Sequence, residues 1–108
     1  LSGGTLNSLG VETGGEEPGV AQLRFASPFR PGAEVRYHVP AQGRVSLRVF
    51  NVAGREVRTL LNHACPAGWH SAKWDGRNAD GLDVASGVYF LRLDTPAGSA
   101  RRGVVLLR

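Results

Sequence analysis

The sequence predicts an all-β fold, a two-layer sandwich of about seven short antiparallel strands. Three observations predict it. Apolar and polar residues alternate with period two in segment after segment, as in "EVRYHV" and "RVSLRVF". Turn-forming Gly, Pro, Asn and Asp recur every 8 to 12 residues. No stretch carries the 3.6-residue period of a long helix, and no period of 20 to 50 residues repeats.

Residues 1–21 read as a linker. "SGG" and "TGGEEPG" are rich in Gly and Glu and have no periodicity, although "TLNSLGV" is weakly strand-like. The folded domain is expected over 22–108. "AQLRF" alternates and stops at "SPFRPG", because Pro28 and Pro31 suit neither helix nor central strand. "EVRYHVP" sets Val35, Tyr37 and Val39 against Glu34, Arg36 and His38, and "RVSLRVFN" sets Val45, Leu47 and Val49 against Arg44, Ser46 and Arg48. "NVAGRE" turns at Gly54. "EVRTLLN" reads as a fourth strand, with a short helical turn as the competing reading, and "CPAG" turns again. "WHSAKW" is a fifth strand. "GVYFLRL" is a sixth, apolar on both faces and therefore expected inside a sheet. "TPAG" makes a hairpin turn into the last strand, "SARRGVVLLR". Strands of this number and spacing suggest an immunoglobulin-like sandwich, without the Cys–Trp–Cys pattern of antibody domains.

With 108 residues the chain is long enough for one domain and one core. Its apolar runs fall short of the roughly 20 residues that span a bilayer. It shows no signal-peptide pattern and no methionine, so a processed or excised piece of a longer protein is expected. The net charge of +4 is uneven. Glu12, Glu16 and Glu17 are unopposed in residues 1–21, which leaves all 13 basic and six acidic side chains, a net +7, in 22–108. Twelve of the 13 are arginines, Lys73 being the other, and they are spread singly through the alternation. That spread points to solvated strand faces rather than a nucleic-acid footprint. Cys65 cannot form an internal disulfide and is expected to pack as a small hydrophobe.

Four candidate chemistries lie in or near "WHSAKWDGRNADGLDVASGVYFLRL". Asp75, Asn78, Asp80 and Asp83 could offer calcium oxygens, but an EF-hand counted from Asp75 would need ligands where Arg77 and Ala79 stand. The expected reading is a structural loop, its Asx side chains folded onto backbone N–H groups and Gly76 and Gly81 taking positive φ. His63, Cys65 and His70 lack a fourth zinc ligand. No G-x-S-x-G or paired-carboxylate arrangement marks a hydrolase, so no catalysis and no cofactor are expected. Trp69 and Trp74, five apart, should face opposite ways, one in the core and Trp69 outside as a weak carbohydrate platform.

The order of motifs is itself informative. "SPFRPGAEVRYHVP" resembles the family opening N-P-F-x-P-x-T-x-I-x-Y-x-L-P. "VSLRVFNVAGREVRTL" is similar to its strand–turn–strand, with Gly54 and Arg55 at the turn. "AGWHSAKWDG" with "SGVYFLRL", and then "RRGVVLLR", resemble its next two motifs. The family is the immunoglobulin-like domain of the flagellar hook-capping type, also found as the type A C-terminal sorting domain of type IX secretion substrates. The resemblance implies a non-catalytic domain that takes an upstream passenger to the outside of the outer membrane. Its partners would be the secretion translocon and the surface-attachment machinery. It implies recognition through Gly87, Tyr89, Arg101, Arg102 and Arg108, with Arg101 or Arg102 supplying the charge of a lysine that Gly103 replaces. The terminal strand would be read by β-augmentation, and deleting Val104–Arg108 would retain the passenger inside the cell. The competing function is an extracellular binding or assembly module, carbohydrate-binding or part of a filament, that pairs a strand with a neighbouring chain.

Overall fold

Alternating side chains form a half-buried strand only where a second layer covers the apolar face. A computed structural model describes residues 19–108 and shows two such layers. Seven strands run in order: β1 (Gln22–Arg24), β2 (Glu34–Val39), β3 (Gly43–Asn51), β4 (Glu56–Cys65), β5 (Gly68–Lys73), β6 (Gly87–Thr95) and β7 (Gly98–Leu106). They pair antiparallel as a three-stranded sheet, β1-β2-β5, and a four-stranded sheet, β4-β3-β6-β7. This is the expected immunoglobulin-like sandwich. β6, apolar on both faces, lies between β3 and β7. The weak strand at "TLNSLGV" and most of the proposed linker fall outside the described residues.

The core follows the parity read from the sequence. Val35, Tyr37 and Val39 of β2 meet Val45, Leu47 and Val49 of β3 and Leu91 and Leu93 of β6. Val104 and Leu106 of β7 complete it, and Ala21, just before β1, is buried as well. No polar or charged residue among those described is buried. An aromatic row stitches the layers at one end. The Trp74 ring lies 5.9 Å from Phe29 and 5.5 Å from Tyr89, edge-on to the latter. Cys65 is buried, as expected.

"EVRTLLN" is a strand and not a helical turn. Val57, Leu60 and Leu61 do not fit one parity, and the register accommodates them. Pairing with β3 slips between Leu47 and Arg48 and again between Val49 and Phe50. Such bulges kink a strand, and β4 is an edge where a kink discourages pairing with another chain. β4 also runs through to Cys65, so the turn into β5 is the tight Pro66–Ala67.

Tyr37 packs beneath His70, rings 5.5 Å apart, and beside Cys65. Burial, with the neighbouring thiol adding to it, pushes its phenol up to about 12. The proton is therefore held more tightly folded than unfolded, where a tyrosine titrates near 10. The stabilisation is complete below pH 10 and is lost as pH rises toward 12. Urea midpoints measured across that window should fall in the wild type, and less steeply in Tyr37→Phe; parallel profiles would contradict the assignment.

Candidate functional site

The residues singled out by the sequence lie on β6, on β7 and its end, and on the long β5–β6 loop. β7 is an edge strand, and its residues alternate cleanly. Val104 and Leu106 point into the core, while Arg101, Gly103 and Val105 face out. Part of its free edge is covered. Phe29 forms a parallel bridge to Leu106: its N–H donates to the Val105 carbonyl at 2.8 Å, and its carbonyl accepts from the Leu107 N–H at 2.8 Å.

The three arginines have different settings. The Arg101 guanidinium lies on the outer face, 4.5 Å from the centre of the Phe90 ring. Arg102 shares the parity of Val104 and Leu106 and reaches across the open side of the sandwich. It donates to the Leu23 carbonyl at 3.2 Å and covers Phe25 at 5.4 Å, tying β7 to β1. Arg108 reaches into the β5–β6 loop. Its backbone N–H donates to Ser86 Oγ at 3.0 Å and its Nε to the Val84 carbonyl at 2.6 Å. Its Nη2 donates to the Gly76 carbonyl and lies 3.6 Å from Asp83 Oδ1. Gly87 opens β6 opposite Leu106. Tyr89 is in the core, and its hydroxyl donates to the Ala85 carbonyl at 2.7 Å. Gly87, Tyr89 and Arg108 thus shape one end of the domain, and Arg101 stands apart on a sheet face.

The loop is built from Asx turns. Asp75 Oδ1 accepts from the Arg77 N–H at 3.0 Å and from Arg58 Nη1 at 2.9 Å. Asn78 Oδ1 accepts from the N–H groups of Asp80 and Leu82 at 2.9 and 3.1 Å. Asp83 takes Arg77 Nε at 3.3 Å. Gly76 and Gly81 have φ of +73° and +80°. Of the four side chains considered for calcium, Asp75, Asn78 and Asp83 thus accept bonds from the chain itself. Among the described residues no three His, Cys, Asp or Glu side chains gather as metal ligands would. His63, by contrast, bonds the Ala64 carbonyl and contacts Cys65, while His70 bonds the Pro66 carbonyl at 2.8 Å.

Trp74 is fully buried and Trp69 lies on the opposite, outer face of the three-stranded sheet. Arg24 and Arg36 cover the Trp69 ring at 5.3 and 5.1 Å, and His38 leans on it at 5.2 Å. Guanidiniums occupy the surface a sugar ring would stack on, so Trp69 is half-covered by its own neighbours.

Several known proteins are similar to this chain. The "PorU" of Porphyromonas gingivalis, solved as a latent dimer, is 20% identical with a TM-score of 0.62; the match covers 81% of this chain and 9% of that one. PorZ of the same bacterium, described as an essential surface component of its type IX secretion system, is 27% identical with a TM-score of 0.50, over 80% of this chain and 11% of PorZ. FlgD of Xanthomonas campestris, described in connection with hook capping in flagellar assembly, is 26% identical with a TM-score of 0.53, over 80% of this chain and 59% of FlgD. The chain therefore spans only a small part of the length of PorU and of PorZ. No curated protein matches it. The model of the FlgD Ig-like domain matches residues 32–99, more than half of the chain, and the protein belongs to that family.

Proposed function

We propose that this is a non-catalytic sorting domain that directs an upstream passenger through type IX secretion to the cell surface. The observation that carries the reading is the placement of β7. It is an edge strand whose outward row, Arg101, Gly103, Val105 and Leu107, is exposed while its inward row anchors it. An edge of this kind offers main-chain groups for β-augmentation and side chains for selectivity. The likeness to PorZ supports the same reading.

The test must spare the fold. Val104 and Leu106 are core residues, so a deletion of Val104–Arg108 would unfold the domain as well as remove a signal. Arg101→Glu with Val105→Asp changes only outward side chains. Fused behind a reporter in a type IX-secreting bacterium, the wild-type domain should place the reporter on the surface. The double variant should retain most of it, about tenfold less display, while keeping its thermal midpoint. Undiminished display of that variant would overturn recognition through β7.

A second reading is an assembly module of the hook-capping kind, favoured by the likeness to Xanthomonas FlgD over 80% of the chain. It would leave reporter display at background for the wild-type domain too.

A further inference from the structure

The outer face of the four-stranded sheet carries two adjacent rows that only the register brings together. Arg48 of β3 pairs with Arg92 of β6, which pairs with Arg101 of β7. All three side chains are on the outer face, so three guanidiniums stand in line across three strands. The next row is Phe50, Phe90 and Gly103. Beyond it, Val88 and Val105 are paired and 48% and 46% exposed. Arg101 and Arg48 lie over the Phe90 and Phe50 rings at 4.5 and 5.9 Å. The β3–β4 turn rises beside these rows. With Phe50, Phe90, Arg92 and Arg101 it closes a concavity of about 340 Å³, whose rim includes Val52, 72% exposed.

Like charges directly opposite each other weaken a sheet, so the arginine row works against stability. Two carboxylates offset it. Asp94 bonds Arg48 at 3.1 Å and Arg92 at 3.2 Å, and Glu56 lies 3.6 Å from Arg48. Among the described residues none pairs a carboxylate with Arg101. The face therefore presents one guanidinium without a carboxylate partner among the described residues, beside half-buried Phe and exposed Val side chains. Arg and aromatic groups together are the composition of protein interfaces.

We propose that this face docks a segment of a partner protein that presents a carboxylate next to an aromatic or large apolar side chain. The carboxylate would take Arg101, and the apolar group would enter the concavity between Phe90 and Val52. Charge complementarity selects this occupant. A polyanion such as a nucleic acid or sulfated glycan needs several unmatched cations, and here Asp94 and Glu56 occupy two of three while the Phe row goes unused. The inference does not depend on type IX secretion, because it is scored on the purified chain.

The probe is a labelled peptide with alternating Phe and Glu, titrated into the 108-residue chain by fluorescence anisotropy and by backbone amide shifts. Saturable binding is expected, with shifts at residues 50–54, 90 and 101. Affinity should drop at least tenfold in Arg101→Glu and at least threefold in Arg101→Gln, with thermal midpoints unchanged. It should also drop when Gln replaces Glu in the peptide. Any of four results would overturn the proposal: no binding, equal binding of the Gln peptide, tighter binding of polyglutamate or dextran sulfate than of the Phe–Glu peptide, or shifts confined to another face. Concentration-dependent dimerisation abolished by Arg101→Glu would overturn the choice of a foreign partner in favour of a second copy.

Discussion

Replacing Trp74 by alanine should cost about 3–5 kcal/mol, the range for a buried large aromatic, and most of what holds a domain of this size together. Trp74 is fully buried immediately after β5, in the three-stranded layer. Its ring meets Tyr89 on β6 of the other layer, and Phe29 in the β1–β2 connection that covers the end of β7. Its Nε1 donates to the Arg77 carbonyl at 3.0 Å, and its carbonyl accepts from the Gly32 N–H at 2.7 Å. Truncation therefore empties the point where both layers and two loops meet, and it leaves the Arg77 carbonyl only the longer bond from Arg58 Nη1 at 3.4 Å. For a domain of this length the thermal midpoint should fall by at least about 12 °C. Trp69→Ala, on the outer face, should cost below about 1 kcal/mol, since exposed cation–π contacts are worth little more. Guanidinium denaturation of both variants decides the matter, and equal midpoints would show that Trp74 is not the pin between the layers.

Much of this was legible in the sequence because period two assigns each side chain to a face without reference to any other strand. Parity separates Trp69 from Trp74 and places Val104 and Leu106 inside. It also places Tyr89 with Leu91 and Leu93, and the core position of Tyr89 follows from that rather than from its motif. The Asx turns at Asp75 and Asn78 were legible because they close over two to four residues. Three features were not. The two bulges of β4 arise because Val57, Leu60 and Leu61 satisfy neither parity, and only pairing with β3 decides where the slack falls. The Arg48–Arg92–Arg101 row depends on the register of three strands, which no single strand specifies. The seat of Arg108 joins groups 24 and 32 residues apart in a loop without periodicity.

That seat gives the second large effect. Gly76→Ala should cost about 2–3 kcal/mol. A left-handed φ of +73° costs an alanine about 1–2 kcal/mol. The rest comes from Arg108. A Cβ at position 76 would lie 2.8 Å from Arg108 Nη2 and 3.3 Å from the Pro31 ring, so the ring must give slightly and the guanidinium must shift away. It would then give up its bonds to the Gly76 and Val84 carbonyls, at about 1 kcal/mol net for a partly exposed charged donor. Gly81→Ala is the control: φ there is +80° with nothing within 4 Å of the added carbon, so only the backbone strain remains. Urea unfolding of Gly76→Ala, Arg108→Ala and the double variant closes the cycle. In the Arg108→Ala background, Gly76→Ala should cost what Gly81→Ala costs plus the close contact with the Pro31 ring, a coupling to Arg108 of about 1 kcal/mol. Additive losses would mean that loop and tail are held independently. Coupled losses would mean that any receptor drawing residues 105–108 out of the fold must also release the β5–β6 loop, so the stability of that loop would set how readily the end of β7 can be read.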